Sequence, residues 1–155
     1  MADRDVEFDA FFSQHWAPTV RMLTVATGDA AIAADAAQDT FVRAYARWGR
    51  IRRYDAPVAW VRKVALNRCR DLHRSDQRRR HREERTAMLD GTGGSWEGPP
   101  VGLDLDHDGD LTQALSGLPD RQRTAVALHY VADMSVRDVA DAMGISEGAV
   151  KFNLH

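Results

Sequence analysis

Cysteine, lysine and long apolar runs are what this sequence has least of. Its one cysteine, Cys69, cannot form an internal disulfide, which fits a reducing cytoplasm. No stretch approaches the roughly 18 apolar residues of a membrane span, so no membrane partner is expected. The first twelve residues, MADRDVEFDAFF, carry four acids and one Arg, the wrong charge for a secretory signal. Alternating apolar runs and Asn-Gly hairpin turns are missing, which argues against a β fold. Phosphate-cradling glycine loops, nucleophile elbows and metal-ligand spacings of His and Cys are missing too. Asp104-x-Asp106-x-Asp108-Gly109 opens like a calcium loop, but the twelfth position, where a bidentate Glu belongs, is Leu115. Hence no catalytic residue, no metal and no cofactor is expected, and the chain reads as a non-enzyme.

The net charge of −2 hides a strong asymmetry. Arg43 to Arg85 holds fifteen Lys or Arg against five acids, whereas Asp90 to Asp110 holds six acids and no Lys or Arg. A basic block of that size draws phosphate through counterion release. Of the 21 basic residues only Lys63 and Lys151 are lysine.

Residues 87–109 read as a flexible acidic Gly/Pro linker, with six glycines and two prolines between Gly91 and Gly109. The expected fold is all-α: two small helical domains, 1–86 and 110–155, joined by that linker. In the first, Phe8, Phe11, Phe12, His15, Thr19, Met22, Leu23 and Ala26 recur at helical spacing, with Pro18 expected to bend or end the helix. Asp29 is an expected N-cap for a second helix with core face Ala33, Ala37, Phe41, Ala44 and Trp48. Its other face offers Asp35, Gln38, Asp39 and Val42. Gly49 to Ala56 reads as a loop carrying Arg50, Arg52, Arg53 and Tyr54. Pro57 should open a helix reaching Arg74 or Arg85, with Val58, Val61, Ala65, Cys69 and Leu72 inward. Lys63, Asn67, Arg70 and Arg74 then share the opposite face, near Trp48, Tyr54 and Trp60, rings suited to unstacked bases if not needed in the core.

In the second domain a helix from Pro119-Asp120 to about Tyr130 should bury Val126 and Tyr130. Ser135 to Asp138 matches a capping box, Gly144 suits a left-handed helix end, and Ser146 caps a last helix including Val150 and Leu154. Helix, glycine turn and second helix make a helix-turn-helix, whose second helix enters the DNA major groove. Ser146, Glu147, Gly148, Lys151, Phe152 and His155 would then face DNA.

In order, these pieces resemble the extracytoplasmic-function (ECF) group of bacterial RNA polymerase sigma factors. Asp35 to Ala44 resembles their polymerase-binding helix. Trp60 to Asn67 with Asp71 and Arg74 resembles their promoter-melting helix, and Leu118-Pro119 through Lys151 resembles their fourth conserved region. The resemblance implies a sigma region 2-like domain that binds the polymerase clamp and melts the proximal promoter element. It also implies a region 4-like domain that reads the distal element as duplex. The implied partners are core RNA polymerase, promoter DNA and a cognate anti-sigma factor. The family's recognition helix continues with more basic residues, whereas this sequence stops at Leu154-His155, so a truncated C-terminus is expected. The competing reading is a helix-turn-helix transcriptional regulator that works without polymerase. It leaves the Asp35-to-Phe41 patch and the Asn67 stripe without a use.

Overall fold

The computed structural model describes the backbone of residues 2–90 and 106–155, and the side chains of 2–86 and 109–155. Among the described residues every regular element is helical. Helix α1 spans Ala2–Thr27, α2 Ala30–Ala46, the short α3 Trp48–Ile51 and α4 Pro57–Asp90. They are followed by α5 Asp106–Leu115, α6 Asp120–Val126, α7 Val136–Met143 and α8 Glu147–Leu154.

Local chemistry places most boundaries. Gly28 leaves α1 with a φ of 73°, a left-handed value that favours glycine. Asp29 then caps α2, its Oδ1 accepting from Ile32 N at 3.1 Å. Pro57 opens α4, where its missing N–H costs nothing. Ser135 and Ser146 cap α7 and α8, their hydroxyls accepting from Asp138 N and Ala149 N at 3.1 Å. Gly144 closes α7 at φ 68° with open space around it, so its need for glycine is one of backbone conformation alone.

Four expectations need correction. Pro18 does not end α1, which runs through it. Pro18 and Gln14 are both exposed, so the lost hydrogen bond lies on the solvent side of the helix. The Gly49–Ala56 segment begins as the helical turn α3, pinned by buried Trp48 and Ile51; Arg50 lies on this turn rather than in a loop. Tyr130 is 63% exposed and Val126 only half-buried. A π turn over Ala127–Val131 follows α6, with Ala132 N donating to Ala127 O at 3.1 Å. Its wider winding leaves Ala125, Ala127 and Leu128 as the inward positions. Finally, α4 and α5 reach into both ends of the expected 87–109 linker. Residues 91–105 and the Asp104–Asp108 side chains lie outside the described residues.

The two halves also share a core. Val20, Met22, Leu23, Val25 and Ala26 of α1 and Ala65, Leu66 and Cys69 of α4 form one apolar cluster with Ala125, Leu128, Met134, Val139 and Val150. α1 packs against α2 and α4, and also against α5, α6 and the π turn, while α4 meets α7. A second cluster, aromatic in character, joins Phe8, Phe41, Trp48, Ile51 and Val61. Phe8 sits edge-on to Trp48 with ring centroids 5.4 Å apart.

Two outcomes follow. Gly144→Ala should destabilise the chain by about 1 kcal/mol because alanine resists positive φ, and Gly144→Asn by less, as thermal or urea unfolding would measure. Burial pushes the Cys69 thiol up to about 12, with nearby Asp29 adding to the effect. At pH 8 its thiolate is therefore scarcer than in the unfolded chain by roughly a thousandfold. A chromogenic disulfide reagent should label it promptly in denaturant and scarcely at all in the folded protein.

Candidate nucleic-acid and polymerase interface

Helix α4 builds the first candidate surface. Val61, Ala65 and Cys69 are fully enclosed, which turns Asn67, Arg70 and Arg74 outward and leaves Lys63 half-exposed. The expected stripe is therefore real, with Asn67 as its uncharged member between cations. Farther along, Arg78, Arg79, Arg80 and Arg82 are all exposed, and Asp76 pairs with Arg79 at 3.0 Å and with Arg80 at 3.1 Å.

Before α4, Arg50, Arg52 and Arg53 are exposed and Tyr54 is half-buried. Arg52 Nη1 lies 2.9 Å from Glu7 Oε2 of α1, a partner that sequence reading did not anticipate. Trp48 is core, 2% exposed, which removes it from the set of base-stacking rings. Tyr54 and Trp60 stay half-buried against the aromatic cluster.

The stripe is not fully open to solvent. Lys63 Nζ lies 3.3 Å from both carboxylate oxygens of Asp141 on α7. The neighbouring Arg62, half-buried, donates from Nη1 to the Ala132 carbonyl at 2.8 Å, while its Nε is buried without a partner. Burial lowers the Arg62 pKa, and Asp133 pulls the other way. Burial also lowers the pKa of His15, with Arg62 adding to the effect. Arg70 lines a cleft of about 300 Å³ between α4 and α6, facing Asp120, Arg121 and Arg123. Arg123 Nε closes the same seam by donating to Ala26 O at 2.8 Å.

On α2, Asp35, Gln38 and Val42 are exposed as expected, Val42 at 63%. Asp39 differs: its Oδ2 accepts from Arg68 Nε of α4 at 2.9 Å, so it is already ion-paired. What the sequence did not reveal is the groove beside this face. Phe8, Phe12 and Trp16 of α1 line it together with Gln38, Phe41, Val42 and Tyr45 of α2. Phe12 was expected in the core but is 37% exposed and stacks on Trp16 at 5.2 Å. Tyr45 donates from its hydroxyl to Asp5 Oδ1 at 3.0 Å, a bond that raises the Tyr45 pKa. The i, i+4 recurrence of aromatics at 8, 12 and 16 was a visible signal; that it faced outward in part was not.

The third surface is α8. Ser146, Glu147, Gly148, Lys151, Phe152 and His155 are all exposed, Phe152 at 78%, while Val150 anchors the helix in the core. The Ser146 hydroxyl is engaged as the cap. Asn153 turns back to the Ala149 carbonyl at 2.8 Å. α7 and α8 pack together around the Gly144 turn as a helix-turn-helix. Among the described residues no group of His, Cys, Asp and Glu is arranged to hold a metal, and no helix is long and apolar enough to cross a membrane.

Known proteins carry the same parts in the same order. The Sigma-70 region 2 family model matches residues 14–79, and the Sigma-70 region 4 model matches residues 108–155. ECF RNA polymerase sigma factor SigL of Mycobacterium tuberculosis is 31% identical over 148 residues, covering 94% of this chain and 81% of its own length. A probable RNA polymerase sigma factor, RfaY of Xanthomonas campestris, is 27% identical over 88% of this chain, which spans only 35% of that relative. A solved structure, sigma factor RpoE with the anti-sigma factor NepR from Bartonella quintana, has the same fold. Its TM-score is 0.66 at 22% identity, over 96% of this chain and 89% of that one. With both sigma regions present in sequence and in shape, the chain belongs to the ECF sigma factors of bacterial RNA polymerase, the subunits that direct promoter-specific transcription initiation.

Proposed function

We propose that the stripe of α4 melts promoter DNA, that the α1–α2 groove with its α2 rim docks the polymerase clamp, and that α8 reads duplex. The observation that carries this is the α4 face itself: exposed Asn67 with Lys63, Arg70 and Arg74 on a helix whose opposite side is fully enclosed. Cations hold a strand by its phosphates whatever its sequence, and the amide of Asn67 supplies the donor and acceptor that can discriminate one extruded base. Arg50, Arg53 and Tyr54 extend the same path toward the N-terminal end of α4, with Arg52 joining once it leaves Glu7.

In this reading residues 1–86 form the clamp-binding and melting domain and 110–155 the distal-element domain, and the 87–109 segment that joins them is helical at both ends. Ser146, Glu147, Gly148, Lys151, Phe152 and His155 present the duplex-reading face. Asp35, Gln38 and Val42 meet polymerase directly, and Asp39 contributes through its pair with Arg68. The protein works by binding rather than by catalysis, in the cytoplasm where polymerase and promoters are. An anti-sigma factor, which the RpoE relative binds, is expected to regulate it. A regulator acting without polymerase has no use for the exposed aromatic groove.

Transcription from a cognate promoter by purified core polymerase, dependent on the added chain, tests the reading as a whole. For the docking face Val42→Glu is the sharper variant, because changing Asp39 would also break its bond to Arg68. Core polymerase affinity should fall about tenfold while unfolding stability shifts by no more than about 0.5 kcal/mol. For the stripe, Arg74→Ala should lower the salt slope of single-strand binding by about 0.7 and weaken all sequences alike. Asn67→Ala should leave the slope unchanged and relax preference at one base. Equal behaviour of the two in salt titrations would refute the assigned roles.

A further inference from the structure

We propose that the cleft between α4 and α6 is a binding site for a small phosphate monoester. The site stands apart from the DNA reading, because two of its three arginines, Arg121 and Arg123, lie on α6, outside the face assigned to DNA.

The cleft encloses about 300 Å³, with Arg70 entering from α4 and Arg121 and Arg123 from α6. Asp120 is the one acid of its lining, so the formal charge is three minus one, or +2. That acid is already engaged, its Oδ1 lying 2.6 Å from Arg123 Nη2. Arg123 is held further by the Ala26 carbonyl at 2.8 Å and the Leu118 carbonyl at 3.4 Å, which fixes its guanidinium in place. Arg70 and Arg121 are exposed and have no hydrogen-bond or ion-pair partner among the described residues. Two unpaired guanidinium groups beside a fixed third repel one another, and a dianion with several acceptor oxygens relieves that repulsion. His73, on the same rim, is engaged with Gln77 at 3.1 Å.

The floor has the opposite chemistry. Ala26, Leu66 and Cys69 are buried there, and the Thr27 and Thr124 hydroxyls donate away to Leu23 O and Asp120 O. Charge therefore belongs at the rim and an apolar body below it, the usual division of a small-molecule site. The volume equals about ten waters at roughly 30 Å³ each, enough for a monoester of about ten non-hydrogen atoms. DNA offers diesters with one charge per phosphate, whereas a monoester brings both the second charge that matches +2 and an ester group for the floor.

Phenyl phosphate, a monoester of about this size, is the probe. Isothermal titration of the full chain at fixed ionic strength should show one saturable site. Phenyl phosphate should bind there about tenfold more tightly than inorganic phosphate, which lacks the ring, or benzoate, which lacks the second charge. In an NMR titration the Nε–H signals of Arg70, Arg121 and Arg123 should shift together. Arg121→Gln changes an exposed side chain without a partner, so the fold is kept. It should weaken phenyl phosphate about tenfold and alter binding of a 20-nucleotide single-stranded DNA by less than about twofold. Arg121→Lys, which keeps the charge and loses the fork, should show a smaller loss in the same direction, should the glutamine variant fold poorly. No saturable binding by the parent chain would overturn the proposal, and so would equal phenyl phosphate affinity in parent and variants. Equal losses of phenyl phosphate and single strand would assign these arginines to DNA and overturn it as well. The DNA reading of α4 is decided separately, by Asn67→Ala.

Discussion

The second half of α1 is the wall on which both halves of the molecule lean. From Thr19 to Ala26 every residue except Arg21 is buried. A helix that buries one side shows an apolar stripe; one enclosed on nearly every side shows a near-continuous apolar run. The run Thr-Val-Arg-Met-Leu-Thr-Val-Ala is of the second kind; Thr24 fits because its hydroxyl bonds back to Val20 O at 2.8 Å, whereas the Thr19 hydroxyl is buried without a partner among the described residues. α1 meets α2 and α4 and also α5, α6 and the π turn, and Val20, Met22, Leu23, Val25 and Ala26 share one apolar cluster with Ala65 and Leu66 of α4 and with Ala125 and Leu128 of the second half. Full enclosure of a Val, Leu or Met side chain is worth about 1.5 to 3 kcal/mol. Pulling the second module away therefore exposes several such groups at once, and neither half has a complete core alone.

Features governed by a few adjacent residues were legible in the sequence. Asp29, Pro57, Ser135, Gly144 and Ser146 each set a boundary through a backbone group within four residues, and all five do so in the structure. The inward face of α2 was equally clear, since Ala33, Ala37, Phe41 and Ala44 follow the helical repeat and are all buried; Trp48, expected on the same helix, is buried too but lies on α3, because α2 ends at Ala46. What escaped the sequence depends on distant partners or on subtle winding. The exposure of Tyr130 hangs on one π turn that no local motif announces. The groove needs Phe12 of α1 and Val42 of α2 to be neighbours, a fact of packing 30 positions apart in the chain. The shared core escaped because a Gly/Pro-rich segment suggests independent domains whether or not they dock.

The site residues divide in the same way. Which side chains face out from α4 and α8 was readable from periodicity, because the buried positions on the opposite side dictate it. Which of them are free was not. Arg52 is held by Glu7, Asp39 by Arg68 and Lys63 by Asp141, each across 29 or more positions of sequence. Aromatic residues near the stripe were ambiguous for a related reason: Trp48 fills the core, while Tyr54 and Trp60 are left half-buried at its edge.

Those three ion pairs also temper the basic block locally. One acid each from α1, α2 and α7 is paired with a cation of α4 or of the segment before it. Partly exposed pairs of this kind contribute only about 0 to 1 kcal/mol each and weaken with salt. A nucleic-acid strand, with a phosphate at every residue and counterions to release, replaces such carboxylates at little cost. The apolar seam is different in kind, since no ion competes for it and its disruption needs a surface that covers what is exposed. In the proposed reading the electrostatic pairs set how readily DNA is admitted to α4, while the buried wall of α1 holds the two modules together.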